Sequence, residues 1–234
     1  MRQHFREKMM RKYHFTITTV LILTMIGSAV SAGFVLASAT SNFTQTINAG
    51  TLSVDIVDGS YVSVGSPSVP MQSASFSFSC QTRTGAFASS TQQIYVQNPD
   101  AADGGWTVSL AASDPTNVWD SAGTDFDFND PGGSGCTDGG DADSLGGQMT
   151  VDPSAGTLST GECLSCATTN VTRGASNAFS EGATDSITIL TGAAGSNDIG
   201  DWRLTGISIS QTIPGEQPAA SDYDISLTLT IASS

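Results

Sequence analysis

Trp106-Thr107-Val108-Ser109-Leu110 and Leu227-Thr228-Leu229-Thr230-Ile231 decide how this chain folds. Both place an apolar side chain at every second position and a serine or threonine between. Successive residues of a strand point to opposite faces, so the spacing gathers the apolar groups on one side. The same period recurs at Leu52, Val54 and Ile56; Phe76 and Phe78; Ile94 and Val96; Ile187 and Ile189; Ile207 and Ile209; and Ile225 extends the last run. Hydroxylated residues on the other face suit antiparallel sheets with one side wet. Turn chemistry at Asp58-Gly59-Ser60, Asn98-Pro99-Asp100 through Gly104-Gly105, and Pro214-Gly215 separates the strands. The expected fold is all-β, an antiparallel two-sheet β-sandwich.

Ahead of this body stands a different kind of sequence. Five of the eight basic residues, Arg2, Arg6, Lys8, Arg11 and Lys12, precede an apolar run from Phe15 to Val30. A charged start, a short apolar core and the small-residue exit Ala37-Ser38-Ala39 read as a Sec signal peptide over residues 1–39, and Val30-Ser31-Ala32 offers a second cleavage point. Kept uncleaved, the same segment would serve as a membrane anchor. The surface domain is then 40–234, enough for one sizeable core. No LPxTG motif follows the last strand, so attachment is expected to be non-covalent or through the uncleaved head.

Charge is lopsided after cleavage. Beyond residue 39 lie 21 of the 22 acidic residues but only three basic ones, Arg83, Arg173 and Arg203, a net charge of −18. Such a body repels nucleic acid and anionic membrane surfaces and attracts cations. Both histidines and both lysines belong to the head. The mature chain therefore lacks the side chains for Ser-His or Cys-His nucleophile pairs, histidine zinc sites, lysine Schiff bases and phosphate-binding P-loops. No organic cofactor and no enzymatic activity are expected. A carboxylate pair of the kind that hydrolyses glycosides is the catalytic alternative.

Cys80, Cys136, Cys163 and Cys166 form an even set in an exported chain, so two disulfides are expected. Three connectivities exist. Closing a ring within Cys163-Leu164-Ser165-Cys166 demands a tight turn, which favours pairing each of these cysteines with a distant partner. Read as a metal motif, the CxxC lacks both a second CxxC and a histidine; as a redox motif, it lacks a βαβ setting.

The longest stretch without strand periodicity, 114–147, reads as an acidic loop insertion. It carries Asp120, Asp125, Asp127, Asn129, Asp130, Asp138, Asp141 and Asp143 among glycines. Alternating oxygen ligands at Asp125, Asp127 and Asn129, joined by Asp130, Asp138, Asp141 and Asp143, make Ca²⁺ the candidate cofactor, at the affinity of about 10⁻⁴ to 10⁻³ M common in extracellular modules. The spacing is not that of an EF-hand, since Asp130 occupies the position needing glycine and Cys136 that of the bidentate Glu. The competing reading is a solvated loop in which Asp and Gly simply make turns. Three tryptophans are candidates for stacking on a surface polymer. Trp106 continues a core face with Val108 and Leu110. Trp202, between Asp201 and Arg203 and after Asn197 and Asp198, is the better candidate for an exposed ring. Trp119 opens the acidic loop and equally suits a hydrophobic anchor.

Taken in order, Gly50-Thr51-Leu52-Ser53-Val54, Ile94-Tyr95-Val96, Asn98-Pro99-Asp100, Gly104-Gly105-Trp106-Thr107-Val108, Gly200-Asp201-Trp202, Ile213-Pro214 and Tyr223 through Ile231 resemble the WxL domain of bacterial cell-surface proteins. Leu229 and Ile231 stand where that family's second motif carries Trp and Leu. The resemblance implies a sandwich on the cell surface, held to peptidoglycan by non-covalent contact. Asn42-Phe43-Thr44 through Asn48-Ala49-Gly50-Thr51-Leu52 is similar to the start of camelysin and TasA-like proteins, which implies a fibre subunit that donates a strand to its neighbour. The expected function is a non-catalytic, extracellular structural or adhesive module of the cell wall. It would bind peptidoglycan, another surface polymer or a protein; strand-donating self-association is the alternative.

Overall fold

A computed structural model describes residues 9–19, 44–99, 104–139, 143–195 and 199–233. The chain divides into two compact units, Met1–Ile47 and Asn48–Ser234. In the first, residues 9–19 are helical, and the hydroxyls of Thr16, Thr18 and Thr19 donate to carbonyls four residues back. Among the described residues no helix is long and apolar enough to cross a membrane. Both cleavage motifs and residues 20–30 of the apolar run lie outside the described residues.

The second unit is built from β1 (Ser53–Val57), β2 (Gln81–Phe87), β3 (Gln93–Asn98), β4 (Trp106–Ala112), β5 (Asn129–Asp130), β6 (Gly147–Asp152), β7 (Thr157–Thr160), β8 (Val171–Arg173), β9 (Asn177–Ala178), β10 (Ser186–Gly192), β11 (Gly200–Thr205), β12 (Ile207–Ile213) and β13 (Leu227–Ser233). They form three antiparallel sheets in the orders β1-β3-β11-β7, β13-β4-β10-β8 and β2-β12-β6-β5, with β9 also on β6.

Two of these sheets are continuations of one another. Only Gly206, at φ 76°, separates β11 from β12, and its N–H donates to the Ala88 carbonyl at 2.7 Å. Ala88, at φ 58°, turns the neighbouring chain just beyond β2, so adjacent strands bend together. A 3-10 turn, Pro153–Ala155, breaks β6 from β7 in the same row. The β13-β4-β10-β8 sheet packs across the bent layer. Trp106 of β4 meets Trp202 of β11 at a ring distance of 5.4 Å, and Leu110 shares a cavity wall with Phe87, Met149 and Ile209. The sandwich expected from the periodicity is present, with one layer divided at Gly206.

Registers match the alternation. Opposite Leu229 and Ile231 on β13 stand Leu110 and Val108 of β4, while Thr230 and Ser109 share the wet face with hydroxyls 3.3 Å apart. A bulge between Thr188 and Leu190 turns both Ile189 and Leu190 of β10 into the core. Gly192 ends that strand directly opposite Trp106, where a Cβ would overlap the indole ring.

One expected strand is absent. Phe76 and Phe78 lie outside the strands, 52% and 79% exposed, and meet each other edge-on at 5.2 Å. The strand is instead β2, Gln81-Thr82-Arg83-Thr84-Gly85-Ala86-Phe87, whose alternation is too polar to read. It pairs only with β12 among the named strands and sits at the sheet margin, so little apolar surface is required of it.

Candidate functional site

Strand alternation decides which way the tryptophans face. Trp202 and Leu204 of β11 turn inward, leaving Asp201 and Arg203 on the outer face. The polar neighbours that made Trp202 read as exposed belong to the opposite side of its own strand. Trp202 is 0% exposed and Trp106 1%, so both are core residues and neither offers a ring face to solvent. Asn197 and Asp198 lie outside the described residues. Trp119 is half-buried, stacks on Phe126 at 5.7 Å and donates its indole N–H to Gln211 Oε1 at 2.9 Å.

The 114–147 segment is largely irregular, as expected, but it is not a solvated loop. Phe126 and Phe128 are buried, and Phe128 packs edge-on against Phe179 at 5.1 Å. The disulfide Cys80–Cys136 ties it to the start of β2. Its acidic residues serve the backbone. Asp130, 1% exposed, accepts from the N–H groups of Gly132 at 2.7 Å and Gly139 at 2.6 Å. Asp127 accepts from Phe128 N–H at 2.6 Å, and Asp125 from Ser121 N–H at 3.0 Å. Asn129 donates to the Pro115 carbonyl at 2.8 Å, and Asp143 accepts from Leu145 N–H at 2.9 Å. Asp141 lies outside the described residues. Among the described residues, Cys163, Cys166 and Asp201 are the one group of at least three Cys, His, Asp or Glu side chains whose ligand atoms lie close enough together to share an ion.

At one edge of the sandwich, β7 and β8 end their sheets. The connection between them, residues 161–170, contains the second disulfide, Cys163–Cys166, with Cα atoms 5.5 Å apart. This corrects the expectation of two long-range bridges. The tight turn is made at Leu164-Ser165 and is fixed from outside, by a side chain of β11. Asp201, 6% exposed, accepts from Glu162 N–H at 2.7 Å through Oδ2 and from Cys163 N–H at 2.9 Å through Oδ1. The Tyr95 hydroxyl of β3 donates to the same Oδ2. From the other face of β11, the Trp202 indole donates to the Ala167 carbonyl at 2.9 Å. Arg173 of β8 donates to the carbonyls of Ser154, at 2.7 Å, and Gly156, just ahead of β7. Burial, followed by the hydrogen bond to Asp201, raises the Tyr95 phenol above its ordinary pKa. None of Tyr95, Asp201 and Arg173 was singled out from the sequence; Gly200-Asp201-Trp202 was noticed for its tryptophan alone.

The opposite edge is built differently. There β1 and β13 end the same two sheets, and each has a named strand on one side only. The inward residues Leu227, Leu229 and Ile231 of β13, like Val54 and Ile56 of β1, are half-buried. A groove of about 350 Å³ lies here, walled by Ile56, Val69, Met71, Leu110, Leu227 and Leu229. Residues 44–50 are exposed throughout and outside any strand, and Ile47 is 87% exposed.

One sandwich edge is therefore clasped; at the other, Val64 N–H donates to the Ile56 carbonyl at 2.8 Å beside β1, while β13 has no strand partner but β4 among the described residues. Two disulfides mark a non-cytoplasmic, oxidising location. No family model matches the chain, and no curated protein or solved structure matches it.

Proposed function

We propose that the protein is a non-catalytic structural module of the cell exterior that self-associates by strand addition at its β1/β13 edge. The observation that carries this reading is the half-buried inward face of β13, above the groove of about 350 Å³. A strand with one unpaired edge and an incompletely covered apolar face is a template for another extended segment. The segment proposed to fill it is residues 43–49 of a second copy, just ahead of Gly50, whose N–H is bonded to the Pro99 carbonyl at 3.2 Å. Its Phe43, Ile47 and Ala49 fall on one face of an extended chain, and its residues 44–49 are solvent-exposed. Main-chain hydrogen bonds would supply affinity, and the apolar side chains would set the register.

Peptidoglycan binding through tryptophans is the weaker form of the same exterior role, because Trp106 and Trp202 are core residues and only Trp119 retains partial exposure. Two measurements on the secreted protein separate them. Filaments in electron micrographs without retention on purified peptidoglycan support strand addition; retention without filaments supports wall binding. Hydrolysis of a panel of glycans, abolished by Asp or Glu substitution, would replace both with the carboxylate-pair enzyme.

A further inference from the structure

We propose that Cys163, Cys166 and Asp201 form a thiolate–carboxylate site for a soft divalent cation of the Zn²⁺ class, present only when the 163–166 disulfide is reduced. The ligand atoms of the three residues all lie within 4.8 Å of one another. An outer limit of that size accommodates donors around a tetrahedral ion bound at about 2.0 to 2.3 Å once reduction lets the two sulfurs, bonded to each other in this structure, move apart. Asp201 is held by Tyr95 of β3 and by the N–H groups of Glu162 and Cys163, and none of these bonds uses a sulfur. These three hydrogen bonds leave one of the roughly four acceptor positions of a carboxylate for a metal.

Two glycines keep the surroundings of these atoms clear. A Cβ on Gly200 would sit 3.1 Å from Cys166 Sγ, and one on Gly161 would overlap the Asp201 carboxylate. Both positions sit where any side chain would intrude on the three donors. Ser165 Oγ, 4.0 Å from Cys163 Sγ, or a water supplies the fourth ligand. The turn also reaches solvent, since Leu164 between the cysteines is fully exposed.

Opening the site requires two electrons and two protons. A dithiol supplies both, cleaving the Cys163–Cys166 bond to two thiols while being oxidised to its own disulfide. Metal binding then releases the two thiol protons to solvent as the thiolates coordinate. Softness selects the ion, since paired thiolates favour Zn²⁺ over Ca²⁺ or Mg²⁺.

The test titrates Cd²⁺, a spectroscopic stand-in for Zn²⁺, into the full chain reduced with a phosphine, which takes oxygen from water and does not compete as a thiol. Sulfur-to-metal charge-transfer absorbance should saturate at one equivalent in the reduced protein and be absent in the oxidised protein. It should disappear in the Cys163→Ser, Cys166→Ser double variant, which keeps Cys80 and Cys136. Asp201→Asn should weaken binding at least about ten-fold, the lower end of what outer-shell substitutions cost metal sites. Equal absorbance in the double cysteine variant would overturn the proposal by assigning the signal to Cys80 and Cys136. No saturable signal in the reduced protein overturns it outright. An unchanged affinity for Asp201→Asn removes the carboxylate from the site and overturns it as stated.

Discussion

The β7/β8 edge and the β1/β13 edge terminate the same two sheets, yet they are finished in opposite ways. At the first, a ten-residue connection is fixed by a disulfide, by a buried carboxylate taking three donors and by an indole N–H bonded to a carbonyl. At the second, apolar side chains remain half-covered and, among the described residues, β13 pairs with β4 alone. Sheet edges invite association unless they are blocked. Of these two edges, the one at β13 is the better template for a partner strand.

Substitutions on the clasped edge should cost stability, and those on the open edge should cost association. At the clasped edge the largest effect is expected for Asp201→Ala. It strands the buried Tyr95 hydroxyl, at about 1 to 3 kcal/mol, and frees the part-buried N–H groups of Glu162 and Cys163, which water can reach, so urea unfolding should show a loss of about 2 to 3 kcal/mol. A loss below 1 kcal/mol would mean that the clasp is ornamental. Next comes the disulfide within it. Replacing Cys163 and Cys166 by serine should cost about 2 kcal/mol on loop-closure entropy alone, against about 4 kcal/mol for Cys80 and Cys136, whose ring spans far more chain. Calorimetry that ranks the two pairs the other way would show that the short ring has a role beyond entropy.

On the open edge, Leu229→Ser should lower monomer stability by about 1 to 2 kcal/mol, because the side chain is partly rather than fully buried. Sedimentation should nevertheless show that self-association is lost. Retained association would remove β13 from the interface. The smallest effect concerns pH. Tyr95 keeps its proton in the folded state to a higher pH than in the unfolded chain. Its contribution is therefore complete below the ordinary tyrosine pKa of about 10 and is lost as pH rises beyond it. Tyr95→Phe should flatten the alkaline fall in stability; an identical fall in both proteins would assign it to other groups.

Sequence legibility followed the same divide between regular and irregular structure. The strands β1, β3, β4, β10, β12 and β13 announced themselves, because each buries one face and the period of two survives in their side chains. β2 did not, since a marginal strand requires little apolar surface, and Phe76 and Phe78 mimicked the period while lying in solvent. Trp202 misled because its polar neighbours in sequence occupy the other face of the strand. Among the aspartates of 114–147, Asp127 and Asp130 are buried acceptors for backbone N–H groups, a role the sequence alone does not mark. A carboxylate that organises a loop and one that binds an ion present the same letters. The Asp201 clasp was illegible for a related reason: its partners Tyr95, Glu162 and Cys163 are far apart in sequence and meet only once β3, β11 and the β7–β8 connection are assembled.

In the proposed assembly, residues 43–49 of one copy lie along β13 of another. Cysteine trapping tests it most directly, by mixing Ile47→Cys protein with Leu229→Cys protein under mild oxidation and reading covalent heterodimer on a non-reducing gel. The account requires a heterodimer band that forms faster than with Thr172→Cys, on the distant β8, in place of Leu229→Cys. Equal trapping at both positions, or none at either, would contradict it.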